Sequence, residues 1–221
     1  MKQKFNVWIA GLIVISLSIT LFAQATSPYY GWFKGKTEFS FASKSTTSGK
    51  VGNMNTETVV NSLYIVKNGY EGLKEVSVMS MNGKAMPENE KIYITSENAN
   101  YVINPATKQY FKDKGDYTAT YWSKVWQWTR KRSDSYDNIA KAFQPTLNQK
   151  DGQEIENYTI SSVVFSFNKD KQLLQYSGTA GGMNTVIEFF EYSDKVIGNY
   201  LEDMIQTAEK EYIRVEDFFA L

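Results

Sequence analysis

Polar and apolar residues alternate with a period of two over much of the first half of the chain. Between residues 36 and 43, Phe39 and Phe41 alternate with smaller side chains, which predicts a half-buried strand. Further segments of strand composition lie at residues 57–67, 73–81, 91–96, 100–104 and 107–113. Asn68-Gly69, between the first two of these, predicts a tight hairpin turn. The first half therefore predicts a meander of strands.

The period changes to that of a helix between residues 116 and 143. On a helical wheel the aromatic and aliphatic residues of this segment share one arc, and most polar residues fall outside it. The pattern predicts a long amphipathic helix at residues 117–143, which Pro145 ends. A break within it, at residues 133–135, is left open because Ser or Asp there could cap a second helix.

Strand patterns return between residues 153 and 194. One strand is predicted at residues 158–167, and a hairpin at residues 173–192 turns at residues 180–182. In the second strand of this hairpin, alternation places Ile187 and Phe189 on one face and Val186, Phe190 and Tyr192 on the other.

Apolar residues at helical spacing predict a C-terminal helix within residues 199–221, with the last eight residues unassigned. The order of elements predicts an α+β fold. It is an antiparallel sheet of roughly nine strands, interrupted by one long helix and closed by another.

Two of the predicted strands are apolar on both faces. Besides the strand with Ile187 and Phe189, residues 57–67 place Tyr64 and Val66 opposite Leu63 and Ile65. A strand of this kind must be covered on both faces. The long helix is the simplest cover for one of them, and a cavity between helix and sheet is a candidate ligand site.

Residues 1–25 have the composition of a secretory signal peptide. Lys2 and Lys4 precede an apolar run of 18 residues, and Ala23-Gln24-Ala25 follows it as a cleavage site. The alternative is a retained membrane anchor, because 18 residues reach the lower end of spanning length. Polar residues within the run favour cleavage. We expect residues 26–221 to form a single domain, periplasmic or secreted and soluble, in a bacterial envelope.

Composition excludes several classes of function. The chain has no cysteine and no histidine, so catalytic triads with histidine and His-ligated zinc sites cannot form. Without Lys2 and Lys4, 22 basic residues face 24 acidic ones, which is not the balance of a nucleic-acid-binding protein. We expect no enzyme activity, no cofactor and no metal. Hydrolysis by a pair of carboxylates is the least favoured alternative.

The stretch ATYWSKVWQWTRKR, residues 119–132, holds three tryptophans within seven positions. Such a stripe is more often core than a ligand site, by about two to one. The functional interpretation is that part of it lines an apolar pocket. The candidate ligand-binding residues are Tyr121, Trp122, Val125, Trp126, Trp128 and Arg132.

Arg132 lies near the middle of the apolar arc, where a charge must be satisfied. Three interpretations of Arg132 stay open. The first is that its guanidinium extends to the water at the rim of the pocket. The others are that it anchors an acidic head group inside the pocket or pairs with Glu188.

The order of these elements resembles a known family. The segments KIYITSENANYVINPATKQYF (91–111) and FSFNKDKQLLQYSGTAGGMNTVIEFFEYSD (165–194), around a helical insertion and after a signal peptide, resemble the periplasmic lipoprotein carriers of the LolA and LolB type. The resemblance covers most of residues 36–194. It departs from the family at the start, where a strand rather than a helix comes first, and the family's functional arginine has no counterpart that we can assign.

The resemblance implies a curved antiparallel half-barrel, with the long helix covering its concave face and a C-terminal helix. It also implies reversible binding of an acyl chain or another hydrophobic small molecule, without catalysis. Envelope proteins are further candidate partners; nucleic acid is not, and no membrane span is expected after signal cleavage. The alternative function is a structural or protein-binding envelope module with a fully packed core.

Overall fold

The structure is a computed structural model that describes residue 32 and residues 36–96, 98–113, 135–216 and 221. The helices in these ranges are α1 (Ser135–Ala142) and α2 (Tyr200–Glu211). The strands are β1 (Phe39–Val51), β2 (Met54–Lys67), β3 (Tyr70–Met81), β4 (Lys84–Ala85), β5 (Asn89–Thr95), β6 (Asn100–Asn104), β7 (Gln109–Asp113), β8 (Thr146–Lys150), β9 (Gln153–Ile160), β10 (Val163–Asn168), β11 (Leu173–Ala180), β12 (Met183–Ser193) and β13 (Ile213–Val215).

All thirteen of these strands belong to one sheet. Across the sheet they follow the order β13, β7, β6, β5, β3, β2, β1, β12, β11, β10, β9 and β8, and β4 pairs with β3 beside this path. The pairing of β13 with β7 is parallel, and the other strand pairs are antiparallel. Since β13 and β8 lie at opposite edges, the sheet is open, which is consistent with the predicted curved half-barrel.

The predicted Asn68-Gly69 hairpin is confirmed. Both residues have positive φ, 52° and 77°, which is the backbone of the turn that matches the twist of two antiparallel strands. Asparagine and glycine adopt it at low cost, so the register of β2 against β3 follows from the local sequence.

The single strand predicted at residues 158–167 is wrong. The segment folds as β9 and β10, with a two-residue turn at Ser161-Ser162 that pairs Ile160 with Val163. Ser161 has a φ of 55°. Serine is a weak turn former, so neither of these residues interrupts the strand pattern in the sequence.

The sheet is larger than the predicted nine strands because polar segments also pair. β1 continues to Val51, well past residue 43, although its second half is rich in serine, threonine and lysine. β4, β8 and β13 were not predicted either, since they are short or exposed. Here pairing partners distant in sequence decide the conformation, and local propensity does not.

The two faces of the sheet carry separate clusters of buried side chains. We call the face that carries Phe41, Tyr64 and Phe189 the inner face, and the opposite face, on which Leu201 of α2 packs, the outer face. In β2, Tyr64 and Val66 lie on the inner face and Leu63 and Ile65 on the outer one. The prediction that this strand is covered on both faces is therefore confirmed.

The same prediction is wrong for β12. On its outer face Val186 and Phe190 are 36% and 43% exposed, because α2 contacts β3, β7 and β13 and leaves this part of the sheet open. A bulge also changes the face of Tyr192: Glu191 has a φ of 55°, and the ring of Tyr192 stacks on Phe41 at 5.6 Å. One extra residue reverses the alternation, so Tyr192 joins Phe189 on the inner face.

The described residues include only the end of the predicted long helix and all of the α-helix near the C-terminus. α1 covers the end of the segment predicted at residues 117–143, and residues 114–134 lie outside the described residues. The C-terminal helix is confirmed as α2, whose Leu201 and Ala208 are buried. Of the helices in the described ranges, neither is long and apolar enough to cross a bilayer.

Candidate functional site

The six candidate ligand-binding residues all lie outside the described part of the chain, so their role stays a prediction. They are Tyr121, Trp122, Val125, Trp126, Trp128 and Arg132. The sheet against which they were expected to pack is described, and the side chains on its inner face are considered next.

A row of large side chains crosses the inner face from β6 to β1. Residues that pair directly in neighbouring strands point to the same face, so the register defines the row. Phe41 and Tyr64 stack at 5.1 Å between ring centroids. We call this row the first wall; it consists of Val102, Tyr93, Leu73, Tyr64 and Phe41.

A second group of large side chains lies on the inner face of β10, β11 and β12. Phe165 and Tyr176 meet edge to face at 5.2 Å, and Tyr176 pairs with Ile187. Phe165 is only 2% exposed. We call this group the second wall; it consists of Phe165, Tyr176, Ile187 and Phe189.

Short side chains occupy the inner face of β1, β2 and β3 beside both walls. Each has two or three side-chain heavy atoms, whereas the neighbouring aromatic side chains extend much farther from the backbone, so the surface is lower here. All of them are half-buried. We call this surface the inner floor; it consists of Ser43, Ser45, Thr47, Thr58, Val60, Ser62 and Ser77.

Two charged side chains lie at one end of the inner floor. Glu75 of β3 pairs with Ser62 on one side and with Lys91 of β5 on the other, so the three share the inner face. The Tyr93 hydroxyl, in the first wall, hydrogen-bonds to the Glu75 carboxyl. Burial raises the pKa of Glu75 to about 7, although Lys91 and Tyr93 act against the shift. Burial lowers the pKa of Lys91, and Glu75 opposes that change.

The raised pKa of Glu75 predicts a fall in stability as the pH rises. Between about pH 4.5 and 7 the folded protein holds a proton on Glu75 that the unfolded chain has released, so the free energy of unfolding decreases across this window. The loss is at most about 3 kcal/mol.

We expect Glu75→Gln to match the parent protein at pH 4.5 and to be more stable at pH 8, measured by urea unfolding. Glu57→Gln, on the outer face of β2, is the matched control and should follow the parent at both values. A pH dependence unchanged by Glu75→Gln would contradict the prediction.

Hydrogen bonds hold α1 over the inner face of β9 and β10. Tyr136 and Tyr158 both donate to Glu156 Oε2, at 2.6 and 2.8 Å. The Tyr136 ring also meets Phe167 edge to face at 5.0 Å. Burial and then the hydrogen bond to Glu156 raise the pKa of Tyr136, so its hydroxyl stays a donor. α1 is thereby placed beside the second wall.

A small cavity lies elsewhere, at the start of α2. It is lined by Ile65, Tyr70, Val196, Tyr200 and Leu201 among others, and its volume is about 10 Å³. That is room for at most one water molecule. It is therefore too small for an organic ligand. In the described ranges no group of three or more acidic side chains could hold a metal ion.

The inner floor, Glu75 and Lys91 were not singled out from the sequence. The usable signal was Glu75 itself: alternation puts it in phase with the buried Leu73, and the Asn68-Gly69 hairpin sets it opposite Ser62. Lys91 and Ser43 depend on strand pairings that the sequence did not show.

Neither the family models nor the curated proteins give a match to this chain. Among solved structures, LprF from Mycobacterium bovis aligns with a TM-score of 0.44 and 12% identity, over 81% of this chain and 95% of that one. An uncharacterized conserved protein from Thermus thermophilus aligns with a TM-score of 0.39 and 8% identity, over 80% and 90% of the two chains.

A DUF1329 family protein from Desulfovibrio piger aligns with a TM-score of 0.25 and 11% identity, over 75% of this chain and 89% of that one. At this level of structural agreement the likenesses carry no functional argument. The proposed function therefore does not rest on these structural likenesses.

Proposed function

We propose that this chain is an exported bacterial envelope protein that binds an apolar ligand, such as a lipid or an acyl chain, against the inner floor of its sheet. It needs no cofactor and performs no catalysis. The helix predicted at residues 117–143 covers the ligand, and its movement admits and releases it. The observation that carries the proposal is the low, half-buried inner floor beside two walls of large side chains.

The shape of the inner face supports binding of a long, thin ligand. The first wall crosses the same strands as the floor and lies next to it in the direction of those strands. The second wall lies beside the floor on the adjacent strands β10, β11 and β12. Apart from the half-buried Ile187 the wall side chains are buried, with Tyr64 and Phe189 each 4% exposed, so they belong to the hydrophobic core. A flexible acyl chain can follow such a depression where a bulky ligand cannot.

The chemistry of the floor suits a ligand that must also leave. Hydroxyl groups such as that of Thr47, which lies 3.1 Å from the Thr185 hydroxyl, can hydrogen-bond to one another beneath an apolar tail. Each CH2 group taken from water contributes about 0.8 kcal/mol, so roughly ten of them contribute about 8 kcal/mol before the costs of ordering. That corresponds to reversible binding. The resemblance of the sequence to lipoprotein carriers points the same way.

Filling the floor should block binding without unfolding the protein. In Ser45→Phe, a ring would occupy the depression between Val60 and Ile187, its two cross-strand partners. We expect the affinity for the neutral fluorescent probe N-phenyl-1-naphthylamine to fall at least about tenfold. The protein would be purified from cells that express the full-length chain, and its melting temperature would be compared with that of the parent.

The matched control is Thr46→Phe, which places the same ring on the outer face of the same strand, beside Val59 and Val186. Its affinity for the probe should stay within about twofold of the parent value. The alternative, a module with a packed core and no ligand, predicts that Ser45→Phe unfolds the protein and that the parent binds no probe. Those two results together would reject the proposal. Extraction of the parent protein with organic solvent, followed by mass spectrometry, should also recover a lipid.

A further inference from the structure

We propose that Lys91 binds the acidic head group of the ligand whose apolar tail lies on the inner floor. The ligand is then a single-chain amphiphile with one negative charge, of the chemical class of a long-chain carboxylate. This inference rests on the proposed function and adds the class of head group and the residue that selects it.

The position of Lys91 fits a head-group site. A single row of directly paired residues runs across the inner face through Lys91, Glu75, Ser62, Ser43 and Phe189. Two members of this row belong to the inner floor, and Phe189 belongs to the second wall. Lys91 therefore lies at the end of the floor opposite the second wall. An amphiphile on the floor would have its acid group at Lys91 and its tail beside the first wall, extending towards the second wall.

The charges around Lys91 differ from those around five lysines that form ion pairs. Lys74, Lys112 and Lys171 have carboxylate oxygens at 2.9, 2.6 and 3.4 Å. Lys36 and Lys67 also have carboxylate partners, at 3.8 Å each. Within the part of the chain that the structure describes, the ion pairs include none for Lys91. Glu75 faces Lys91 without forming such an ion pair, and a half-buried ammonium group of this kind favours an anionic ligand.

The Glu75 carboxyl competes with the ligand's carboxylate for Lys91. It faces Lys91 directly across the strand pair, and burial holds its pKa near neutrality, so its carboxyl is readily protonated. When a ligand carboxylate binds Lys91, Glu75 takes up a proton and the site keeps a single negative charge. The titratable groups that face Glu75 among the described residues are Lys91 and Tyr93, both from β5. Affinity for an acidic ligand should therefore rise as the pH falls from 8 to 6.

The test compares two ligands that differ only in the head group, decanoate and 1-decanol, by displacement of N-phenyl-1-naphthylamine from the purified protein. We expect Lys91→Met to weaken binding of decanoate by about tenfold or more and to change binding of 1-decanol by less than about twofold. Lys91→Arg should retain the preference for decanoate. Lys44→Met, on the exposed outer face of β1, is the matched control and should bind both ligands as the parent does.

The outcomes separate the two proposals. If the parent protein binds neither decanoate nor 1-decanol, the proposed function fails. If it binds both and Lys91→Met leaves their ratio of affinities unchanged, the binding function stands and the role of Lys91 is rejected. Should Lys91→Met not fold, Glu75→Gln gives the decision. It should strengthen binding of decanoate at pH 8 by about threefold or more and remove its pH dependence, and unchanged binding would overturn the inference.

Discussion

Replacing Phe167 with alanine is expected to lower the free energy of unfolding by about 3–5 kcal/mol. Phe167 is fully buried at 0% exposure on the inner face of β10. Its ring meets Tyr136 at 5.0 Å and Tyr158 at 6.0 Å, so the substitution would leave a cavity under α1 and remove two aromatic contacts. Urea unfolding followed by far-UV circular dichroism would measure the loss.

Phe190→Ala is the matched control for this change. Phe190 is also a sheet phenylalanine, but it lies on the outer face of β12 and is 43% exposed. We expect its loss to stay below about 1 kcal/mol, because little apolar area leaves the core and no cavity forms. Equal losses in the two variants would mean that the assignment of the inner and outer faces is wrong.

Gly72→Val should lower the free energy of unfolding by about 3 kcal/mol, because the Leu201 side chain of α2 packs directly on Gly72. A Cβ atom added at Gly72 would lie 2.2 Å from Leu201 Cδ2 and 2.9 Å from Leu201 Cδ1. Leu201 is 4% exposed, so its side chain has little room to move away. Thermal unfolding and urea unfolding would both detect the change.

A double-mutant cycle tests whether the clash with Leu201 causes the loss of stability in Gly72→Val. Leu201→Ala alone should also destabilise the protein, by about 2–5 kcal/mol, because it leaves a cavity under α2. The double variant Gly72→Val/Leu201→Ala should be clearly more stable than the sum of the two losses predicts, since the valine then occupies the space of the leucine. Additive losses would show that Gly72 acts through the backbone of β3 and not through this contact.

The two clusters of the sheet serve different purposes in the proposals. The outer cluster under α2 is fully occupied by protein side chains, and the cavity beside it holds at most a single water molecule. The inner face combines two walls of large, mostly buried side chains with a floor of short, half-buried side chains. A substitution in the outer cluster should therefore change stability alone, whereas one on the inner floor should change binding.

Much of the strand pattern could be predicted from the sequence. Asn100–Asn104 was predicted with the bounds that β6 has, and the predicted strands at residues 57–67 and 73–81 correspond to β2 and β3. These predictions succeed because alternation and Asn-Gly turn chemistry act over a few residues. α2 was predicted for the same reason, since its apolar spacing is local.

The residues of the candidate site on the inner face could not be predicted from the sequence. The aromatic helix was proposed as the ligand-facing element, and its six candidate residues lie outside the described residues. The inner floor was missed because the second half of β1 has the composition of a loop. Glu75 and Lys91 are ordinary surface residues in the sequence, and only the pairing of β3 with β5 brings them face to face.

By itself the sequence determined the strand and helix periods, the Asn-Gly turn and the absence of histidine and cysteine chemistry. The tertiary structure alone decided that β1 pairs with β12, that β13 joins β7 in parallel, that Tyr192 turns inward at a bulge, and that Lys91 meets Glu75 beside the inner floor. The physical reason is the distance along the chain between the residues that interact. A turn or a period depends on neighbouring residues, whereas strands far apart in the chain take their register from the packing of the whole sheet.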